Sequence, residues 1–301
     1  MSVQLRWRQV DPADLPAITA LHASALAVDG GSPFAAADWL LRRWYVDGVD
    51  ASLAAFCDSE LIGVCARRHP DRPDGSPWKI AGLVAPGHRG QGVGARLLDF
   101  ALDSTGMLAP VLVETESLTQ AADALYRSRG LRQTFAEDVM SMPLAQPVPV
   151  VAADPGISLT EWTRAAAPRF FAVWEAAFRE RPGFPGWSAD TWIGWISDDE
   201  DFRADWTLLA SAHDADLGFI AGAAGGWIVQ VGVIPGARGR RISTLLMAEV
   251  LGRMIAAGET RAVLTVNVNN PSAIAVYERV GFARTGRRAR YERGPSHGPG
   301  S

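Results

Sequence analysis

Lysine is almost missing from this chain. Lys79 is its one lysine among 29 basic residues, so arginine carries nearly all of the positive charge, a bias with no functional reading of its own. Basic charge is not in excess either, because the net charge is −4, and that balance excludes nucleic acid as the default partner. No window approaches 18 uncharged apolar residues, so no membrane span is expected. Met1 to Val10 holds no apolar run with a small-residue cleavage site, and a cytoplasmic location without a signal peptide is the expectation. The 2 cysteines, Cys57 and Cys65, flank a turn at Asp58-Ser59-Glu60 that sets them out of register, so two reduced thiols are expected. His22, His69, His88, His213 and His297 show no ligand spacing, so no metal is expected, and no G-K-[ST] nucleotide loop occurs.

What is present is said twice. Val84-Ala85-Pro86-Gly87-His88-Arg89-Gly90-Gln91-Gly92-Val93-Gly94 is followed by Ala122-Asp123-Ala124-Leu125-Tyr126 and Gly130-Leu131. Val233-Ile234-Pro235-Gly236-Ala237-Arg238-Gly239-Arg240-Arg241-Ile242-Ser243 is followed by Ala273-Ile274-Ala275-Val276-Tyr277 and Gly281-Phe282. The arginines are 149 apart (238 − 89) and the tyrosines 151 apart (277 − 126), far beyond any solenoid period, so a whole domain is duplicated. At 301 residues and 48% hydrophobic, the chain can bury two cores.

Periodicity predicts, in the first copy, strands over 4–8, 52–57, 61–67, 80–84 and 111–113, and helices over 12–27, 35–45, 90–102 and 121–129. The second copy repeats this with strands over 157–162, 206–210, 217–221, 228–233 and 262–268, and helices over 169–179, 190–197, 241–256 and 272–280. Three prolines in 142–150 mark the linker. The expected organisation is therefore domains at 1–145 and 151–293 and a disordered tail over 294–301. The class is α/β with a mixed (α+β) sheet, twice over.

Residues 90–95 also fit G-x-G-x-x-G/A, with Glu114 and Glu116 about 20 residues on, as a dinucleotide-binding loop would have. Against this, Pro86 to Arg89 separate the loop from its strand, and two helices and an antiparallel run precede it. The second copy drops the glycines yet keeps the Arg and the Tyr. The shared physics is anion binding: backbone N–H groups at a helix N-terminus, with a basic side chain at the loop's start.

V-x-P-x-x-R-x-x-G-x-G, a helix, a strand, then A-x-x-x-Y-x-x-x-G-F/L resembles the GNAT acetyltransferase superfamily, and the two copies cover nearly the whole chain as a tandem arrangement. The resemblance implies acetyl-CoA as co-substrate. It places the donor's pyrophosphate and pantetheine on Leu83, Val84, Arg89, Gly90, Gln91, Gly92, Val93, Gly94 and Ala95 in the first copy. In the second it places them on Gly232, Val233, Arg238, Gly239, Arg240, Arg241, Ile242, Ser243, Thr244, Asn270 and Ala273. It also implies that Tyr126 and Tyr277 are acids for the departing thiolate and that Glu114 is a base. The copies depart from the pattern differently: Thr119 replaces the usual Asn in the first, and Arg241 and Ser243 replace both motif glycines in the second.

An alkyl amine near pKa 10.4 is neutral only about once in 2,500 at pH 7, a deficit of roughly 4.6 kcal/mol, so a base or a water relay must help. Thr265 stands where the first copy has Glu114 and leaves the second copy's base unassigned. Tryptophans between Trp162 and Trp227, with the acidic run Asp198 to Asp201, would suit a cationic acceptor, but the favoured reading is core or interface tryptophans beside a solvated turn. The expected activity is transfer of acetyl from acetyl-CoA to a primary amine of a small molecule, directly and in a ternary complex. The expected catalytic copy is the second, acting as monomer or homodimer without nucleic acid or membrane. An acyl-CoA sensor without turnover and an NAD(P)-binding oxidoreductase are the alternatives.

Overall fold

A computed structural model describes residues 5–70, 76–103, 109–145, 156–181 and 183–294. In chain order its elements are β1 (Leu5–Arg8), α1 (Leu15–Asp29), α2 (Asp38–Tyr45), β2 (Val49–Cys57), β3 (Glu60–Arg68), β4 (Trp78–Val84), α3 (Val93–Asp103), β5 (Val111–Thr115), α4 (Gln120–Ser128) and β6 (Arg132–Pro143). Then follow β7 (Ser158–Glu161), α5 (Ala167–Phe178), α6 (Ala189–Ser197), β8 (Phe202–Ala212), β9 (Ala215–Ala223), β10 (Trp227–Val233), α7 (Ile242–Ala256), β11 (Arg261–Asn267), α8 (Pro271–Val280) and β12 (Ala283–Arg293). Helices alternate with mixed sheet in the order expected for an α/β chain built twice.

Two compact units result, Met1–Val139 with Thr285–Ser301, and Met140–Arg284. This differs from a division between 145 and 151, because the last strand of the sequence lies in the first unit. Its five arginines disguise it as a basic tail, yet Ala289 and Tyr291 alternate inward at 3% and 0% exposure, the period of a strand. β6 was equally hidden by its mixed polar sequence. Met142 and Leu144, at the start of the Pro-rich stretch, are 5% exposed and packed in the core of the second unit, so the linker begins later. Residues 146–150 and 295–301 lie outside the described residues.

In the first unit β1 to β4 form an antiparallel run, β5 joins β4 in parallel, and β12 and then β6 follow. Asp11 starts the approach to α1 with a reciprocal capping box with Asp14, and Gly30 ends the helix at φ 68°. Cys57 faces Glu60 and Cys65 faces Leu53 across the β2–β3 hairpin, which keeps both thiols free, and burial raises the Cys65 thiol to about 12.

The second unit orders β7-β8-β9-β10-β11 and closes with the last residues of β6. One side of its sheet is covered by the apolar stripe Ile242, Leu246, Met247, Val250, Leu251 and Met254 of α7. The other is covered by an aromatic layer from α5 and α6, with Trp174 and Trp192 at 2% and 0% exposure and their rings 5.4 Å apart. Most of the tryptophan cluster is therefore core; Trp195 is exposed and Trp187 and Trp227 are partly buried.

Candidate active site

Each unit opens its sheet at the same place. β4 and β5 pair only from Trp78↔Val111 to Ile80↔Val113, and β10 and β11 only at Trp227↔Val263 and Ile228↔Leu264. Beyond those pairs the strands part, leaving residues 81–84 and 229–233 without a parallel neighbour. Leu83, Val84, Gly232 and Val233 lie on these open edges, where a thin, amide-bearing chain could be held by backbone groups. Gly232 is a glycine for a packing reason, since a Cβ there would sit 2.7 Å from the Phe178 ring and 2.9 Å from Phe219.

A short 3-10 turn (Pro86–His88, Pro235–Ala237) then leads into the loop. The first helical bond of α3 runs from Arg96 N–H to the Gly92 carbonyl, and that of α7 from Leu245 N–H to the Arg241 carbonyl. The N–H groups of Val93, Gly94 and Ala95, and of Ile242, Ser243 and Thr244, therefore have no helical acceptor and point out of the helix start, a ready cradle for a phosphate. Gly90 and Gly92 take φ of +74° and +81°, and Gly239 and Arg241 take +80° and +61°. The second loop thus repeats the backbone of the first with arginine in a left-handed conformation, at a cost of about 1–2 kcal/mol.

The loop arginines do something other than the sequence implies. Arg89 is gripped by both oxygens of Asp29 at 2.7 and 2.5 Å and donates from Nε to the Val84 carbonyl, so its charge is spent inside the fold. Arg238 reaches the Ala177 carbonyl at 3.4 Å and Glu180 at 3.6 Å with half of its side chain exposed. Asp29 and Glu180 are 151 apart (180 − 29), the same offset as the tyrosines, so this clasp was legible in the repeat and was missed. Gln91, Gly92, Gly239, Arg240 and Arg241 are exposed along the loop.

Asn270 caps α8 by accepting from Ala273 N–H at 3.3 Å, and Thr119 caps α4 by accepting from Ala122 N–H at 3.1 Å. The Asn-to-Thr difference therefore exchanges one good N-cap for another. Tyr126 and Tyr277 are 7% and 8% exposed, and burial raises both phenols to about 12. Their surroundings differ. The Thr115 hydroxyl stands beside Tyr126 and the Tyr291 ring packs on it at 4.8 Å. The Tyr277 ring packs on Phe282, Val266 replaces Thr115, and its hydroxyl has no hydrogen-bond partner among the described residues. The positive charge of Arg181, whose guanidinium lies over the ring of Phe178, favours the ionised form of Tyr277.

The fourth strands also differ. β4 pairs with β3 without a break, whereas β10 slips against β9 between Ile228 and Gln230, so Val229 is an extra residue at the point where β10 leaves β11. In the first unit a cavity of about 40 Å³, lined by residues including His22, Leu41, Trp44, Tyr45, Glu114, Thr115 and Glu116, fills the opening instead. Burial lowers the His22 imidazole to about 4 and leaves it neutral 3.2 Å from the Tyr45 hydroxyl. Glu114, the candidate base, is bonded to Arg290 at 3.1 Å.

A strand opening, a helix-start anion cradle and a tyrosine helix are repeated in the two units, which makes the protein a tandem duplication of one α/β domain. Residues 157–282 match the acetyltransferase (GNAT) family and residues 50–132 an acetyltransferase (GNAT) domain. The chain belongs to the GNAT acetyltransferase family, with one copy of the domain in each half. Mycothiol acetyltransferases of Nocardioides sp. and Thermobispora bispora are 28% and 27% identical to it, over 89% and 94% of this chain and 93% and 97% of theirs. A GCN5-related N-acetyltransferase from Sphaerobacter thermophilus superposes with a TM-score of 0.72 at 25% identity, covering 96% of this chain and 95% of that one. A tandem GNAT protein from the clavulanic acid biosynthesis pathway shares the fold with a TM-score of 0.61 at 18% identity, over 97% of this chain and 100% of its own. The dinucleotide reading of 90–95 falls: β4 ends an antiparallel run, where a nucleotide-binding sheet would open with a β-α-β unit. No helix among the described residues is long and apolar enough to cross a membrane, and those residues hold no cluster of metal-ligating side chains.

Proposed function

We propose that the chain transfers acetyl from acetyl-CoA to a primary amine of a small molecule, by direct attack in a ternary complex, and that the second copy performs the chemistry. The observation that carries this assignment is the bulge at Val229, where β10 parts from β11. Backbone groups released from the ladder there can donate to a thioester oxygen as it becomes an oxyanion. The first copy has no such irregularity between β3 and β4.

The rest of the site supports the same copy. The N–H groups of Ile242, Ser243 and Thr244 hold the pyrophosphate, with Arg241 a cation at the loop's surface, and the edge at Gly232 and Val233 holds the pantetheine arm. The amine arrives from its neutral fraction or after losing its proton to water, since Thr265 cannot act as base. Its nitrogen bonds to the thioester carbon as the C–S bond breaks; Tyr277 gives its proton to the thiolate while Arg181 steadies the phenolate, and Tyr277 regains a proton from the nitrogen of the new amide. The relatives' name, mycothiol acetyltransferase, supports a small-molecule acceptor over a protein one.

Calorimetric titration with acetyl-CoA tests the cradle. Ser243→Asp places a carboxylate against the pyrophosphate while suiting the start of a helix, so it should fold normally, weaken binding at least tenfold and abolish turnover. Gly94→Asp does the same to the first copy and should leave turnover in place. Turnover that survives Ser243→Asp would overturn the assignment. A sensor without turnover would bind acetyl-CoA and be indifferent to Tyr277→Phe.

A further inference from the structure

We infer that the first copy keeps a donor cradle, a carboxylate and a buried tyrosine but is held idle by the C-terminal strand, with Arg290 the residue that withdraws its base. The inference rests on the reading that the second copy catalyses. It answers a question that reading raises, namely why a copy with an intact glycine loop, a carboxylate at its strand end and a buried tyrosine should be spare.

The terminal strand reaches both acids and the buried tyrosine around that opening. Arg290 lies opposite Glu114 in the β12–β5 ladder and binds its carboxylate at 3.1 Å, with the Phe135 ring beneath the guanidinium at 5.2 Å. Arg288 bonds Glu137 at 3.0 Å and reaches Glu116, the second acid of the cavity, at 3.7 Å. Tyr291, fully buried, packs on Tyr126 and donates its hydroxyl to Asp123. The beginning of the strand crowds the cavity's edge: Leu118 N–H donates to the Arg287 carbonyl at 2.7 Å, and a Cβ on Gly30 would lie 1.5 Å from the Thr285 carbonyl oxygen.

Among the described residues the second unit has nothing equivalent. The neighbour of β11 there is the end of β6, Met140-Ser141-Met142-Pro143, which carries no cation. The bond takes up one Glu114 oxygen and sets the positive charge of Arg290 beside the carboxylate, where it repels an incoming ammonium. With Glu114 released the reaction balances without added reagents. Glu114 takes the ammonium proton and later returns it to water; the nitrogen bonds to the thioester carbon and the C–S bond breaks. Tyr126 protonates the thiolate and regains a proton from the nitrogen of the new amide.

The test uses the full chain carrying Tyr277→Phe, with acetyl-CoA and ethylamine, a small ammonium that suits the narrow cavity, and reads release of CoA. Arg290→Gln should raise the rate at least tenfold above that parent, Arg290→Lys should leave it unchanged, and Glu114→Gln added to Arg290→Gln should erase the gain. Should Arg290→Gln unfold the unit, Arg290→Met keeps an apolar stem over Phe135 and carries the same expectation. A rate equal to the parent's, or a gain that survives Glu114→Gln, overturns the inference. Wild-type turnover in Tyr277→Phe itself would instead overturn the assignment of catalysis to the second copy.

Discussion

Arg241 departs from the glycine pattern of the loop in a way that the structure explains. It holds the left-handed conformation that Gly92 holds in the first copy, so the cradle depends on backbone shape and the side chain is an addition. Arg241→Gly should raise stability by about 1 kcal/mol in denaturant unfolding, since it removes the left-handed strain. It should also weaken acetyl-CoA binding severalfold at low salt, because a cation leaves the loop. Tyr277 makes a prediction with a sign. Burial holds its proton up to about 12, so the rate should show no alkaline limb from this group below pH 10. His22 works in the opposite direction. It is neutral in the folded chain down to about 4, while an unfolded histidine takes a proton below about 6.5. Its contribution is therefore intact above pH 6.5 and is lost as pH falls from there towards 4, on the order of 3 kcal/mol, and His22→Gln should flatten that part of the stability curve. None of this was legible from residue types alone: a histidine without ligand spacing and an arginine in a glycine's place acquire meaning only from their backbone and burial.

At the scale of elements the sequence was most readable where periodicity and punctuation agree. The stripe of α7, the Pro-led turns and the Gly281 cap of α8 were all visible. The strands that escaped, β6 and β12, have polar faces whose partners are charged residues of other strands, and a pattern search reads such strands as loop. The aromatic segment shows the converse: of the two readings its composition allows, a ligand platform and a core, packing makes it mainly the core that was favoured. Gly232 ties element to site: α5 lies against β10 through Phe178, so Gly232→Val should cost several kcal/mol by forcing a branched side chain into the ring, and should lower Tm and acetyl-CoA affinity together.

For the whole molecule, duplication was plain in the spacing, whereas the placement of the last strand was not, because pairing between distant segments leaves no local signature. Residues 1–145 expressed alone lack β12, which leaves an edge of β5 unpaired and removes Tyr291 from the first core. They should aggregate or stay unfolded by circular dichroism, and a soluble, cooperatively folding fragment would contradict the two-unit division described above. The central claim is that two similar sites share one chain and one of them does the chemistry. The most direct measurement is CoA release at saturating acetyl-CoA over a panel of primary amines, from ethylamine to amino sugars, comparing Tyr277→Phe with Tyr126→Phe. The account predicts a loss of about 100-fold for Tyr277→Phe and a change within about twofold for Tyr126→Phe; the reverse pattern, or equal and small effects, would contradict it.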